Sequence, residues 1–355
     1  MSNRSKSLSI AEFKHVFDPV FSSFLREKIN EVKLHTRDLV LHSALEQTYL
    51  MFADRGKRMR PYAAYLMYKT AGGLNEEEVL KLGIGLELLH AFALVQDDLI
   101  DNGKLRHGVA TVHERVAQEL RGKGVEANVN HLARSQAMLV SDLISTWSHG
   151  VIGELKDSHK DRLLAQLQEM MVRVIAGEMI DVGMPTRPVV SSQELIERDA
   201  LKTASYTFEY PLLMGATLAG GEDENAAFCH EFGREMGVVY QIQDDLLDII
   251  DEEDTSKLSD IREHQHTYLT QYVFTHGSAE DREELKIFFS GAVVDAKNEA
   301  RVLELVSAPE VIDATKAELR SRLESAKQIV HTSNIPSHHK SAWLGVVGLF
   351  EKRFS

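Results

Sequence analysis

The sequence predicts an all-α protein, a single large helical bundle around a central cavity. Three observations carry that expectation. Apolar residues recur at helical spacing along nearly the whole chain, and no stretch alternates with the period of two that a half-buried strand needs. Only 7 of 355 residues are proline, against a typical ~5%, so long helices can run uninterrupted. Start and stop signals bracket each periodic segment.

The elements follow in order. Residues 1–9 read as a short flexible tail leading into a capping box, Ser9 with Glu12, that opens a helix over 10–32. A second helix covers 36–54. Gly56 interrupts, Pro61 sits in a first turn that tolerates it, and a helix over about 60–71 stops at Gly72-Gly73. Asn75, with Glu78 three residues on, opens a helix to about Asn102-Gly103. It is apolar almost all round from Leu80 to Ile100, so it belongs in the middle of the bundle. Helices over 111–121, 127–150 and 159–182 come next. Pro185 and Pro188 mark a loop, and Ser191 with Glu194 caps a helix ending at Gly220-Gly221. A helix over 224–251, a polar loop over 252–265, and helices over 266–275, 279–305, 309–331 and 337–353 complete the chain. No linker, low-complexity block or repeat of 20 to 50 residues divides it, so residues 1–355 read as one domain.

Composition excludes several classes. Lys and Arg number 40 against 54 Asp and Glu, a formal charge of −14, which disfavours nucleic acid and anionic membranes as partners. Cys229 is the only cysteine, so neither an intrachain disulfide nor a thiolate cluster can form, and a reducing, cytoplasmic compartment fits. Cys229 itself has no motif around it and reads as a small helix residue. The first residues lack the apolar core of a secretory leader, and no run reaches the ~18 apolar residues of a membrane span.

The chemistry lies in a repeated motif. Gln96-Asp97-Asp98-Leu99-Ile100-Asp101 ends one apolar helix, and Gln243-Asp244-Asp245-Leu246-Leu247-Asp248 ends another 147 residues later. On a helix, Asp97 and Asp101 share a face, and so do Asp244 and Asp248. Acids at a helix C-terminus meet the negative end of its dipole, a costly placement unless a cation is present. Hard oxygen ligands on a rigid helix suit Mg²⁺, which binds through one or two carboxylates plus substrate phosphates. One such motif alone can be a solvated helix end; two point to a pair of acidic clusters facing each other across a cavity that takes a metal-bound diphosphate. Gly56-Lys57-Arg58-Met59-Arg60-Pro61 supplies the cations an anionic substrate needs, Arg as a fork and Lys as a point charge.

These motifs resemble the trans-isoprenyl diphosphate synthases, the polyprenyl synthetase family. The resemblance rests on Gly56-Lys57-Arg58-x-Arg60-Pro61, Glu87-x-x-His90, Asp97-Asp98-x-x-Asp101, Arg106-x-Gly108-x-x-Thr111, Lys202-Thr203-Ala204 and Gln241-x-x-Asp244-Asp245-x-x-Asp248, in the family's order over roughly 50 to 270. It implies the isoprenoid-synthase fold, and a reaction in which an allylic diphosphate is ionised with Mg²⁺ and the carbocation is attacked by isopentenyl diphosphate. By resemblance, Asp97, Asp101, Asp244, Asp245 and Asp248 hold about three Mg²⁺, with Asp98 beside them in catalysis. Gly56, Lys57, Arg60 and His90 bind isopentenyl diphosphate. Arg106, Lys202 and Lys257 hold the allylic diphosphate, and Thr203 and Gln241 line the cation. The resemblance also implies a homodimer.

Some positions depart from the family pattern. His107 stands where a second Arg is usual, touching isopentenyl diphosphate; Ala110 stands for Pro; Lys257 follows Ser256 rather than Gly; and His264-Gln265 replace an expected Gly-Lys, so one phosphate-binding lysine is missing. His264 and His266, two apart, do not share a helix face and read as loop residues rather than a metal site. Phe92, Ala93 and Leu89 lie one or two turns before Asp97, where the family sets the floor of its product tunnel, and they suggest a short- to medium-chain product, twenty carbons before fifteen. Two other readings share features: a class I terpene cyclase, which would lack a use for the Gly56–Pro61 segment, and a non-catalytic partner subunit of a synthase, suggested by His107 and Gln265.

Overall fold

The computed structural model describes residues 7–156, 158–250, 259–291 and 296–352. They are almost wholly helical, as expected. The chain divides into two compact units, one of Met1–Ala165 with Met214–Gly221 and one of Gln166–Leu213 with Glu222–Ser355.

In the first unit, α1 (Ile10–Leu34) starts at the predicted capping box: the Ser9 hydroxyl accepts from the Glu12 N–H, and the Glu12 carboxylate accepts from the Ser9 N–H. Of the tail expected over 1–9, residues 1–6 lie outside the described residues, and Leu8 is bonded through its backbone to the Tyr62 and Tyr65 hydroxyls. Phe13, Phe17, Phe21, Leu25 and Ile29 recur every four residues and are buried together. The three rings stack along the helix at 5.3 and 5.7 Å. Helix α2 (Leu39–Phe52) is capped by Asp38. Helix α3 (Met59–Thr70) is buried throughout.

Helix α4 (Glu76–Ile100), capped by Asn75, is the central helix its composition predicts. Its glycines explain how closely it is wrapped. A Cβ on Gly83 would stand 2.9 Å from the Phe17 ring of α1, and one on Gly85 would stand 2.6 Å from Ile152 of α6 (Val129–Gly153). Between α4 and α5 (Val112–Gly122) lies a feature the helical reading missed, a two-residue hairpin of β1 (Leu105–Arg106) and β2 (Val109–Ala110). His107 and Gly108 form its turn with φ of 52° and 75°, the left-handed pair that tight hairpins use.

In the second unit, which takes α7 (Lys160–Gly183) from Gln166 on, that helix is followed by a short turn around Pro185. The predicted capping box of Ser191 and Glu194 opens α8 (Ser192–Asp199). The helix expected to run on to Gly220 instead passes through a π-helical stretch, Ala200–Glu209, where the Tyr210 N–H reaches the Ser205 carbonyl, and then into α9 (Tyr210–Leu218), whose residues from Met214 on belong to the first unit. Helix α10 (Glu222–Ile250) packs along the π stretch. Its Phe228 and Phe232 meet Trp343 of α16 (Ser337–Glu351) edge-on. Cys229 is buried in α10, and burial pushes its thiol well up, so it packs and does not react.

Two expectations need correction. Of the loop expected over 252–265, residues 252–258 lie outside the described residues, and α11 (Ser259–Arg262) is a helical turn. The single helix expected over 279–305 is two. Helix α13 (Ala279–Phe289) ends at Ser290 and Gly291, whose φ of 65° no right-handed helix allows, and α14 (Ala296–Val306) begins afresh. Between α11 and α13 lies α12 (Tyr268–His276), and α15 (Pro309–Thr332) precedes α16.

Candidate functional site

In the first unit the aspartates close α4. Adjacent helical residues are turned by about 100°, so Asp97 and Asp98 cannot face the same way. Asp98 turns inward, with its side chain 2% exposed against 27% for Asp97. Arg106, delivered by β1, donates to Asp97 Oδ2 at 2.7 Å and to Asp98 Oδ1 at 2.9 and 2.7 Å. Burial pushes the Asp98 carboxyl up to about 6 against the pull of Arg106. Its Oδ2 is buried with no hydrogen-bond partner. Asp101 caps the helix, half-buried, one turn from Asp97.

The basic segment is built around Arg58, which the sequence reading counted among the cations for an anionic substrate and which the structure turns inward. Arg58 is left-handed, with φ of 54°, and buried. Its guanidinium donates to Asp18 of α1 at 2.7 Å, to Glu87 of α4 at 2.6 Å, and to the Phe52 and Ala53 carbonyls. Glu87, one turn before His90, therefore anchors this loop. On either side, Lys57 is exposed and Arg60 is buried at the start of α3, while Gly56 takes a φ of 101°. His90 sits among Arg60, Arg106 and His107; burial and those charges hold its pKa well below the usual imidazole range, so it is neutral. His107 is tied by Nδ1 to the Met51 carbonyl at 3.2 Å, and burial lowers its pKa too. Phe92 and Ala93 are half-buried on α4, and Leu89 is fully buried.

In the second unit, one face of α10 reads Gly233, Gly237, Gln241 and Asp245 at four-residue steps. The glycines bring it onto the π stretch: a Cβ on Gly237 would fall 2.1 Å from that of Ala204, and one on Gly233 would fall 2.7 Å from the Glu209 Cα. Thr203 is thereby set against Gln241. Thr203 Oγ1 donates to Gln241 Oε1 at 2.9 Å, Gln241 Nε2 donates to Asp245 Oδ1 at 2.8 Å, and Asp245 Oδ2 accepts from the Tyr268 N–H at 2.9 Å. Asp245 is buried, like Asp98, whereas Asp244 is exposed. Burial, with Asp199 adding to it and Arg198 opposing it, pushes Asp245 up to about 7. Asp248 accepts from the Asp260 N–H at 3.3 Å, and Asp260 is raised well above the carboxylate range by burial and by Asp245, Asp248 and Asp244.

Lys202 stands one residue before Thr203 and donates to Glu178 Oε2 at 2.8 Å and Asp181 Oδ2 at 2.5 Å, both on α7. Arg198 is buried between Asp181, at 3.0 Å, and Asp199, at 2.7 Å. Sequence reasoning missed these partners; the signal was two acids three apart, just after Gly177, on a helix otherwise apolar at that end. His264 and His266 stack on separate rings, Phe288 and Phe289. Gln265 is half-buried beside them, and Lys257 lies outside the described residues.

Among the described residues, no three carboxylate or imidazole groups converge as a closed metal cage. Each motif instead offers one or two carboxylates on an open helix face, the half-site that Mg²⁺ completes with water and substrate oxygens. The acids crowded around Asp260, which push its carboxyl well above the usual range, fit a cation.

The sequence profile of the Polyprenyl synthetase family matches residues 42–307. A geranylgeranyl diphosphate synthase of Methanosarcina mazei is 28% identical over 312 residues, 86% of this chain and 88% of that one. A short chain isoprenyl diphosphate synthase of Methanocaldococcus jannaschii is 29% identical over 258 residues, 70% and 72% of the two chains. In fold, the chain is similar to a geranylgeranyl pyrophosphate synthase of Corynebacterium glutamicum solved with isoprenyl diphosphate and magnesium. The TM-score is 0.83 at 24% identity, covering 95% of this chain and 98% of that one.

Proposed function

The chain belongs to the polyprenyl synthetase family and is a prenyltransferase, and on that premise we propose how its own residues divide the work of joining isopentenyl diphosphate to an allylic diphosphate. The observation that carries the proposal is the doubled motif: Asp98 and Asp245 are buried and held by neighbours, leaving the more open Asp97 and Asp244 to the substrate side. Asp97 and Asp101, with Asp244 and Asp248, are the ligands of about three Mg²⁺, while Asp245, counted with them by resemblance, supports the second motif from behind through its bonds to Gln241 and the Tyr268 N–H. Bound there, the metal supplies positive charge to a leaving diphosphate. Arg106, Lys202 and Lys257 bind the allylic diphosphate. Gly56, Lys57, Arg60, neutral His90 and His107 form the isopentenyl diphosphate site.

Gln241 is oriented by its partners. Its amide nitrogen is fixed to Asp245, so its carbonyl oxygen is turned toward Thr203. The negative end of that dipole, with the Thr203 oxygen, stabilises a carbocation without reorganising. Phe92 closes the product tunnel, with Ala93 and Leu89 setting its depth, and the favoured product is geranylgeranyl diphosphate, then farnesyl diphosphate. In the same proposal the enzyme works as one domain, in the cytoplasm, as a homodimer. No described helix is long and apolar enough to cross a membrane.

The test is a purified-protein assay with Mg²⁺, isopentenyl diphosphate and allylic starters of increasing length, read by chromatography. Elongation to twenty carbons is expected, with Asp97→Ala and Asp244→Ala each lowering kcat about a thousandfold. Phe92→Ala lengthens the product. Failure to extend any starter sinks the reading and favours the partner subunit; cyclised hydrocarbon without elongation favours the cyclase.

A further inference from the structure

Lys202 is assigned above to the allylic diphosphate, yet it already has two anionic partners. Glu178 and Asp181 lie three apart on α7, and so on one face, and both reach its ammonium. The approach is built into the helix. A Cβ on Gly177 would stand 2.3 Å from the Lys202 backbone nitrogen, so only glycine there lets α7 touch the π stretch and bring Glu178, its neighbour in sequence, onto Lys202. The two acids are not equivalent. Asp181 is nearly buried and is also held by Arg198; burial would raise its pKa, but Lys202 and Arg198 outweigh that and lower it. Glu178 is more exposed, at 22%. Lys202 and Arg198 thus face Glu178, Asp181 and Asp199, two positive charges against three negative ones. An arriving diphosphate meets a lysine whose charge is spent.

We propose that Glu178 sets how tightly Lys202 holds diphosphate: its carboxylate competes with the anion for the ammonium, yields when diphosphate binds, and returns as diphosphate leaves. Asp181 stays in place because Arg198 holds it. Glu178 acts through Lys202 and is a positioning residue. The proposal rests on Lys202 being a diphosphate ligand. Glu178→Gln keeps the shape and an acceptor for Lys202 while removing the competing charge.

The experiment is calorimetric titration with inorganic pyrophosphate at fixed Mg²⁺, on the wild-type protein, Glu178→Gln, Glu178→Ala and Lys202→Ala, each checked for fold by circular dichroism. Both Glu178 variants are expected to bind pyrophosphate about tenfold more tightly, the scale of one charge-assisted hydrogen bond. In turnover, KM for the allylic diphosphate falls by a similar factor, kcat falls because product leaves more slowly, and KM for isopentenyl diphosphate is unchanged. Unchanged or weaker pyrophosphate binding in Glu178→Gln overturns the proposal while Lys202→Ala still weakens binding. If Lys202→Ala binds as the wild type does, Lys202 is not a diphosphate ligand, and that separate result removes the premise.

Discussion

Asp98 and Asp245 hold the same place in their motifs, and each turns inward and is hydrogen-bonded, while Asp97 and Asp244 stay more open. The spacing alone showed which aspartates share a helix face, because residues four apart lie on one side. It could not show which of two adjacent carboxylates turns into the protein, since that depends on Arg106 arriving from β1 and the Tyr268 N–H arriving from α12. Arg58 was unreadable for the same reason: a basic residue between two others looks like one more phosphate ligand until Asp18, Glu87 and two carbonyls are seen around it. His266 yields a pH prediction. It is buried against Phe289, with Nε2 bonded to the Arg187 carbonyl at 3.0 Å. Burial, reinforced by the charges of Arg198 and Arg187, lowers its pKa to about 4, although the bond to the Arg187 carbonyl pulls the other way. The folded value lies below the ~6.5 of a free imidazole. The folded state therefore binds fewer protons, and the stability His266 confers is present above that value and lost as pH falls toward 4. His266→Phe fills the same stack without titrating. The melting temperature is expected to drop less between pH 7 and pH 5 in that variant than in the wild type. An equal drop would show that His266 is not the group responsible.

Among the elements, helix boundaries set by caps were legible and those set by tertiary packing were not. Ser9, Asn75 and Ser191 satisfy local N–H groups, so their helices begin where the sequence says. The π stretch leaves no such mark. Its residues are as apolar-periodic as an α-helix over that length, and its form is imposed by what lies against it: Gly177 of α7 on Lys202, Gly237 on Ala204, and Gly233 on Glu209. Helix α10 is therefore a ruler whose glycines set the distance to Thr203 before Gln241 meets it. Gly237→Ala inserts a methyl where the nearest carbon is 2.1 Å away, so either α10 or the π stretch must move. We expect a stability loss of about 1–3 kcal/mol by urea denaturation, typical of overpacking, together with reduced kcat as the Thr203–Gln241 bond is strained. Gly345→Ala on α16 is the control. Nothing lies within 4 Å of its added methyl, so it should be neutral or stabilising. A Gly237→Ala protein as stable and active as this control would mean that the close approach does not position Thr203.

For the whole molecule, the −14 charge reads differently once the acids are located. Six belong to the two motifs, and others neutralise Arg58, Lys202 and Arg198 inside the protein, so the net figure describes the site as well as the surface. Against that acidic background, two exposed apolar groups stand out. Helix α7 exposes Val172, Ile175, Met179 and Val182, at steps of three and four that make one stripe, and α6 exposes Leu132, Met138 and Leu139. A monomer in water gains nothing from such stripes, and on long helices they are the usual seam for another helix. They are the structural support for the homodimer in the proposed function. The prediction is a sedimentation mass of twice 39.9 kDa for the wild type. Val172→Glu and Leu139→Glu, each placing a charge in one stripe, should shift the protein toward monomer, more strongly at low concentration, without lowering the helical signal in circular dichroism. A dimer that withstands both substitutions would assign the stripes to another task, and a wild type that sediments at 39.9 kDa would remove the dimer from the proposal.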